Sequence, residues 1–358
     1  MVESNSSSRR KFLTGQSLRD AAARARDQAV DQLLEKPHPT RGPTLMLRTT
    51  AMACDFDVIL NPTEPAEQLD AASAALERVH EIEQQLSVYR SDSELSELNR
   101  TAFDQPVIPD PRLFELLLRS QELSDLTHGA FDAAAGALVH LWRRCRLESR
   151  IPTQTEINVT LQHSGMLNVR FDHEARSVSF LQEGVEFNLG AIGKGYAVDR
   201  AGSQLLSRGV SHWLVHGGRS SVLAHGSHAT HDGWPIGLRN PLRPDKPFAT
   251  LLLKNSALGT SGTAVQWFRH EGKRYGHILD PRSGWPIESL LSVSVIAPDA
   301  ALADALSTAF FVLGVEKSLE CCDNLPSSVG AIFFPLPRQG QTLDPILHNV
   351  PENQWFTT

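Results

Sequence analysis

The stretch FNLGAIGKGYAVDR, residues 187–200, sets three glycines and a lysine within six positions. Gly190, Gly193, Lys194 and Gly195 suggest a phosphate cradle, and the spacing decides whose. A P-loop reads G-x-x-x-x-G-K-[ST]. Here Asn188 stands at its first glycine and Gly195 follows Lys194. The dinucleotide fingerprint G-x-G-x-x-G fails too, because no ordering of these glycines produces it. Both loops that announce a doubly wound parallel sheet are thereby excluded. Around this stretch strands and helices mix without regular alternation, which favours an α+β fold.

The chain has 358 residues, enough for one large domain or two ordinary ones with a substantial core. Hydrophobic content of 41% against 21% charged places it with soluble globular chains rather than disordered ones. A formal charge of −7 leaves no basic footprint for nucleic acid. No apolar run approaches the roughly 18 residues of a transmembrane segment. Cys54, Cys145, Cys321 and Cys322 form no C-x-x-C pair, and adjacent cysteines rarely bridge, so disulfides are not expected to hold the fold.

Residues 1–43 read as a polar tail, with a helix expected to end near Glu35-Lys36, closed by the Pro-rich linker Pro37-His38-Pro39-Thr40-Arg41-Gly42-Pro43. The remainder, 44–358, reads as one large domain. Ser8-Arg9-Arg10-Lys11-Phe12-Leu13 matches a twin-arginine export start. The apolar h-region of about 7–15 residues that export needs does not follow; Gln16, Arg19, Asp20, Arg24, Arg26 and Asp27 do. A cytoplasmic location is the expectation, and export to the periplasm the alternative.

Within the domain, Phe56–Leu60 reads as a first strand, and residues 65–89 carry Leu69, Ala72, Leu76, Val79, Ile82 and Leu86 at helical spacing. Further helices are expected over 111–127, after the turn His128-Gly129-Ala130-Phe131-Asp132 up to Leu141-Trp142, and over 195–208 with Gly209 as its cap. Strands are expected at 176–181, 185–189, 213–216, 248–254 and 291–297.

Three constellations could carry chemistry. In Ala301–Gly314 an apolar stripe of Leu302, Ala305, Leu306, Ala309, Phe310 and Leu313 leaves Asp304 and Thr308, four apart, on the opposite face. A carboxylate and a hydroxyl one turn on are two hard oxygens suited to Mg²⁺. On spacing alone, an ordinary solvated face with Thr308 bonding its own backbone is the simpler reading. His277 precedes the Asp280-Pro281-Arg282-Ser283-Gly284 turn, where a lone histidine is more often structural than catalytic. The run His212, His216, His225, His228, His231 lacks cysteine and zinc spacing, and reads as a polar loop.

The order of these signals is more telling than each alone. Met52-Ala53-Cys54, Leu86-Ser87-Val88-Tyr89 through Leu98-Asn99, Gly129-Ala130-Phe131-Asp132 with Leu141-Trp142, residues 188–199, Thr260-Ser261-Gly262, His277-Ile278-Leu279-Asp280-Pro281 and Ala303-Asp304-Ala305 with Thr308 follow one another along the chain. In that order they resemble the ApbE family of FAD:protein FMN transferases. The resemblance implies an ApbE-like, T-fold-related α+β architecture of mixed and antiparallel sheets packed with helices. It implies FAD as FMN donor and Mg²⁺ held by the Ala191 carbonyl, Asp304 and Thr308, with Ser307 as a further oxygen. Met52, Tyr89, Ala130, Phe131, Asp132, Asn188, Lys194 and Ile278 would contact FAD, and His277 would be catalytic. The acceptor would be a redox flavoprotein subunit carrying a Thr or Ser.

Asn188 stands where the family has aspartate, Arg219 where an acidic residue is common, Ala264 where tyrosine is common, and Cys54 replaces threonine. None removes a proposed metal ligand or His277. Three readings therefore compete: transfer of FMN to an acceptor hydroxyl with release of AMP, hydrolysis of FAD to FMN and AMP, and flavin binding without turnover.

Overall fold

Met52 and Ala53 turn the chain between Leu45–Ala51 (β1) and Cys54–Leu60 (β2) with φ of 50° and 58°. Two left-handed residues between paired strands make the tight hairpin whose twist matches that of its strands. In this computed structural model the described residues are 42–62, 66–229, 231–262, 267–337 and 342–357. The tail with Ser8-Arg9-Arg10, most of the Pro-rich linker, and Ala264 lie outside them.

The helices are Ala66–Leu86 (α1), Glu94–Thr101 (α2), Pro111–Leu126 (α3), Gly136–Leu147 (α4), Gln154–Gln162 (α5), Gly193–Ser207 (α6), Ala300–Leu313 (α7) and Val315–Cys322 (α8). The remaining strands are Val169–Asp172 (β3), Ser177–Phe180 (β4), Trp213–Gly217 (β5), Ser221–His225 (β6), Trp234–Asn240 (β7), Arg243–Leu253 (β8), Ser256–Gly262 (β9), Trp267–His270 (β10), Lys273–Gly276 (β11), Leu290–Ala297 (β12), Gly330–Pro335 (β13), Ile346–His348 (β14) and Trp355–Thr357 (β15). Eight of the strands form one sheet in the order β1-β2-β5-β6-β9-β12-β13-β14, and every pairing in it is antiparallel.

Both faces of that sheet are covered. Val293, Val295 and Ala297 of β12 join the core shared with α1, α6 and α7. Ile296, between them, joins a second core with Trp234, Ile236 and Leu238 of β7 and Leu251 and Leu253 of β8. The period-two alternation of a strand thus feeds two cores at once. The second is roofed by the three-stranded sheet β15-β8-β7. A third, smaller core joins α4 and α5 to the β10–β11 hairpin through Leu138, Trp142, Ile157 and Tyr275.

Most expected helices form as read, and Gly209 ends α6 in the left-handed region at φ 77°. Three readings need correction. Residues 185–189 alternate buried and exposed-side positions as a strand would, yet make only a one-residue bridge at Glu186. The Asn99 side chain takes the place of a neighbouring strand: its Oδ1 accepts from Phe187 N–H at 2.8 Å and its Nδ2 donates to the Phe187 carbonyl at 2.9 Å. The histidine run is not one polar loop. His216 and His225 lie in β5 and β6, His225 stacks on Trp213 at 5.4 Å, and His228 is buried against Trp234 at 4.9 Å. Finally, α7 has no solvated face: Asp304 and Ser307 are buried, whereas Leu302 and Leu313 of the expected stripe are only half-buried. The helix is enclosed by β9, β12 and α6, so its small residues, not its leucines, make the tightest contacts.

Two glycines permit that enclosure. A Cβ on Gly195 would lie 2.1 Å from the Ala300 carbonyl oxygen, and one on Gly259 would lie 2.3 Å from the Ala303 carbonyl carbon. Gly195→Ala is expected to cost about 3 kcal/mol or more, the upper end of overpacking, because backbone must move. Gly209→Ala meets nothing within 4 Å and carries only left-handed strain, about 1–2 kcal/mol. Urea midpoints for the two variants test the ranking, which fails if they are equal.

Candidate functional site

Close approach at Gly195 brings the N-terminus of α6 against α7, and each helix caps the other. The first N–H groups of a helix lack intrahelical acceptors. Asp304, on α7, accepts from Gly195 N–H at 2.7 Å. Asp199, on α6, accepts from Ala300 N–H at 2.7 Å through Oδ1 and from Ala301 N–H at 2.9 Å through Oδ2. Asp299 completes the α7 cap, accepting from Leu302 N–H at 2.9 Å while Arg119 pairs with its other oxygen at 2.7 Å. The glycines of the opening stretch are thus explained in part by packing rather than by a phosphate.

Asp304 is the centre of the cluster. Besides Gly195 N–H, its carboxylate accepts from the Ser221 hydroxyl at 2.7 Å. Burial pushes its carboxyl up to about 6, against the opposing pull of Lys194, Ser221 and the Gly195 N–H. One helical turn on, Thr308 does not bond its own backbone; its hydroxyl meets the Ser261 hydroxyl at 3.0 Å, and Ser307 meets the same oxygen at 2.9 Å. Cys54 closes another side. Burial raises its thiol, and Lys194, Glu83 and Asp304 all act on it electrostatically. Cys54 lies under Gly218 of the β5–β6 turn, where Arg219 is exposed. Asp304 and Lys194 are therefore brought together, with Thr308 one turn along α7 and Ala191 two residues ahead of α6.

The donor set suits a hard divalent ion. One desolvated carboxylate beside neutral hydroxyl oxygens offers anionic and neutral oxygen, as Mg²⁺ prefers, and the Cys54 thiol nearby is raised by burial and so kept from the thiolate that a softer ion would need. Burial disfavours the Asp304 anion, and a bound cation would restore it.

A second group adjoins this one through the segment 188–195. Asn188 donates its N–H to the Ala133 carbonyl at 2.7 Å, and its Oδ1 accepts from Gly190 N–H at 2.9 Å. Ala130 and Phe131 are buried, and the Asp132 carboxylate accepts from Ala134 N–H at 2.8 Å and Met166 N–H at 2.9 Å. Asp132 is thereby committed to shaping the loop, and burial raises its carboxyl. The aliphatic chain of Arg282 lies 3.6 Å from the Cβ position of Gly129, joining this loop to the turn after His277. Ile278 is buried while His277 is exposed at the end of β11. Met52 is half-buried, its N–H donated to Glu83 at 2.6 Å. Tyr89 stands apart, 65% exposed beneath the Arg143 guanidinium at 4.5 Å.

Sequence reasoning missed Ser221 and Glu83, and gave Asp199 no role. Only Asp199 had a signal, a carboxylate inside α6 and five residues past Lys194.

This geometry can be set beside known proteins. The sequence profile of the ApbE family matches residues 52–333. The chain belongs to the ApbE family. It is 34% identical over 249 residues to an FAD:protein FMN transferase of Klebsiella pneumoniae, covering 69% of this chain and 76% of that one. An FAD:protein FMN transferase of Treponema pallidum is 33% identical over 280 residues, covering 73% and 77%. The crystal structure of the ApbE protein from Thermotoga maritima superposes with a TM-score of 0.76 at 30% identity, over 84% of this chain and 96% of that one. The ApbE match spans the hairpin turn, α6, α7 and most of the central sheet.

Asp199 sets a pH dependence. Burial, then repulsion from Asp299, pushes its carboxyl up to about 7, against the N–H groups of Ala300 and Ala301 and Arg119. A carboxyl raised in the folded state is more protonated there than in the unfolded chain, so its contribution to stability falls as pH rises from about 4 to about 7. Asp199→Asn removes that titration. Relative to the variant, the wild type is expected to lose stability across this window and to change little above it. Urea denaturation at pH 5 and pH 8 checks the sign.

Proposed function

We propose that this protein transfers FMN from FAD to a Thr or Ser hydroxyl of an acceptor flavoprotein, in a Mg²⁺-dependent reaction that releases AMP. The observation that carries the reading is the buried Asp304 carboxylate, set beside Lys194 and the hydroxyls of Thr308, Ser307 and Ser261 at the end of α6. Membership of the ApbE family and the names of the relatives support flavin transfer; metal, acceptor and leaving group are this reading's own.

In this reading Asp304, Thr308 and the Ala191 carbonyl would hold Mg²⁺. When bound, the ion neutralises pyrophosphate charge as a Lewis acid. Lys194 contacts the same phosphates. His277 accepts the proton of the acceptor hydroxyl as that oxygen attacks the FMN phosphorus, and the bond from that phosphorus to the bridging oxygen breaks so that AMP departs. Acceleration comes mainly from position and charge, as in other phosphoryl transfers. Met52, Tyr89, the loop Ala130–Asp132, Asn188 and Ile278 would contact the dinucleotide. No helix among the described residues is long and apolar enough to cross a membrane.

Hydrolysis of FAD is a second reading, favoured by the exposure of His277, which water reaches as readily as an acceptor hydroxyl. Incubation with FAD, Mg²⁺ and a co-expressed acceptor, followed by intact mass and AMP measurement, separates the readings. A covalent FMN adduct supports transfer; AMP without adduct supports hydrolysis; neither leaves flavin binding without turnover.

His277→Ala should leave FAD affinity nearly unchanged and slow turnover about 10²–10⁴-fold, the contribution of a general base. Wild-type turnover would return His277 to a structural role. Asp304→Asn keeps an acceptor for Gly195 N–H but removes the anion, so more Mg²⁺ should be needed for half-maximal activity while the thermal midpoint changes little. Full activity of that variant in chelator would sink the metal assignment.

A further inference from the structure

The β1–β2 turn is held in a conformation that its own residues resist. Met52 and Ala53 lie at φ 50° and 58°, and neither is glycine, asparagine or aspartate, the residues that take such values readily. Ala51 and Cys54 are register partners and close the ladder, so the two turn residues fall outside it. The Met52 N–H is captured from beyond the hairpin instead. Glu83, near the end of α1, accepts it at 2.6 Å. A carboxylate acceptor makes that bond stronger than one between neutral groups.

Helix α1 makes a second side-chain bond to the same hairpin. Three residues before Glu83, the exposed His80 ring meets the Thr49 hydroxyl at 2.7 Å. That bond ties the shaft of β1, whereas Glu83 is half-buried and ties the turn. The turn runs straight into Cys54, whose Sγ lies 3.2 Å from the Cβ position of Gly218. Lys194, Glu83 and Asp304 all act electrostatically on that thiol, so the tied turn borders the candidate site and the His80 bond does not reach it.

We infer that Glu83 is a positioning residue for FAD binding. By holding the Met52 amide it keeps two non-glycine residues left-handed and sets Met52 at the dinucleotide, and it takes no part in bond making. This rests on the reading above in which Met52 contacts FAD.

Glu83→Ala is expected to weaken FAD binding about tenfold by calorimetry, the scale of one hydrogen bond to a charged group. In turnover with Mg²⁺ and an acceptor it should raise KM for FAD by a similar factor at nearly constant kcat. Glu83→Asp, milder for folding, withdraws the carboxylate by one methylene and should give a smaller loss of the same kind. Glu83→Gln keeps an oxygen for the Met52 N–H and should recover most of the affinity. Ala53→Gly in the Glu83→Ala background should recover it as well, because glycine takes a positive φ without strain and the turn then needs less holding. His80→Ala is the matched control: it severs the other bond between α1 and the hairpin, and FAD affinity should stay at the wild-type value.

Wild-type FAD affinity in both Glu83→Ala and Glu83→Asp overturns the proposal. So does an equal loss in His80→Ala, which would make both bonds general supports of the hairpin. A fall in kcat at unchanged KM also overturns it, by placing Glu83 in the chemistry. If the wild type binds FAD yet gives neither AMP nor adduct, the transferase reading fails and calorimetry alone decides on Glu83. If the wild type does not bind FAD, both fall.

Discussion

Two helices that cross at a glycine exchange carboxylates, and the site is built on that exchange. Asp304 leaves α7 to satisfy Gly195 at the head of α6, while Asp199 leaves α6 to satisfy Ala300 and Ala301 at the head of α7. Each anion sits where helix dipoles favour negative charge. Neither helix can shift along the other without orphaning buried N–H groups on both, so the relative position of Lys194 and Asp304 is held by backbone rather than by side-chain packing alone. The sheet beneath contributes Gly259, whose missing side chain lets α7 settle onto β9 and present Asp304 to Ser221.

The same arrangement reconciles two demands on Asp304. A structural carboxylate should be satisfied, and a metal ligand should be available. Asp304 accepts only neutral donors directly, with Lys194 as its nearby cation, and burial leaves its carboxyl near 6. A group so poised gains from an arriving cation more than one already locked to an arginine would. Asp280, by contrast, is fully engaged with Arg282 at 2.8 and 2.9 Å and serves its turn.

How much was legible follows from which signals are local. Helices α1, α3 and α6 announce themselves through apolar spacing and the Gly209 cap, and the irregular order of elements points to α+β. The Asp304–Thr308 spacing is equally local. What escapes is set by neighbours far along the chain. Ser221 meets Asp304 across 83 positions, and nothing near Ser221 says so. Strand β13 is buried on both faces, so its sequence lacks the polar alternation that marks a half-exposed strand. The face of α7 read as solvated, that of Asp304 and Thr308, also carries Ala303 and Ser307, and the close packing of these small or polar residues depends on glycines in β9 and α6. A helix that touches backbone needs small residues, and small residues look like a weak face.

The support of residues 187–190 by Asn99 has a dynamic side. A strand in mid-sheet can leave only by breaking ladders on both edges, which is close to global unfolding. The Phe187 peptide is held instead by one amide side chain from α2, and the next residue by a single carbonyl at Ala133. Rotating Asn99 away would free that peptide alone, because the Phe187 ring stays buried against Phe180 at 5.4 Å and the Glu186 carbonyl still accepts from Gly136 N–H at 2.9 Å. The stretch that leads into Lys194 and the head of α6 is therefore held to the frame by the buried side chains of Val185, Phe187 and Leu189 rather than by a strand ladder, so its backbone position depends on the core beneath it.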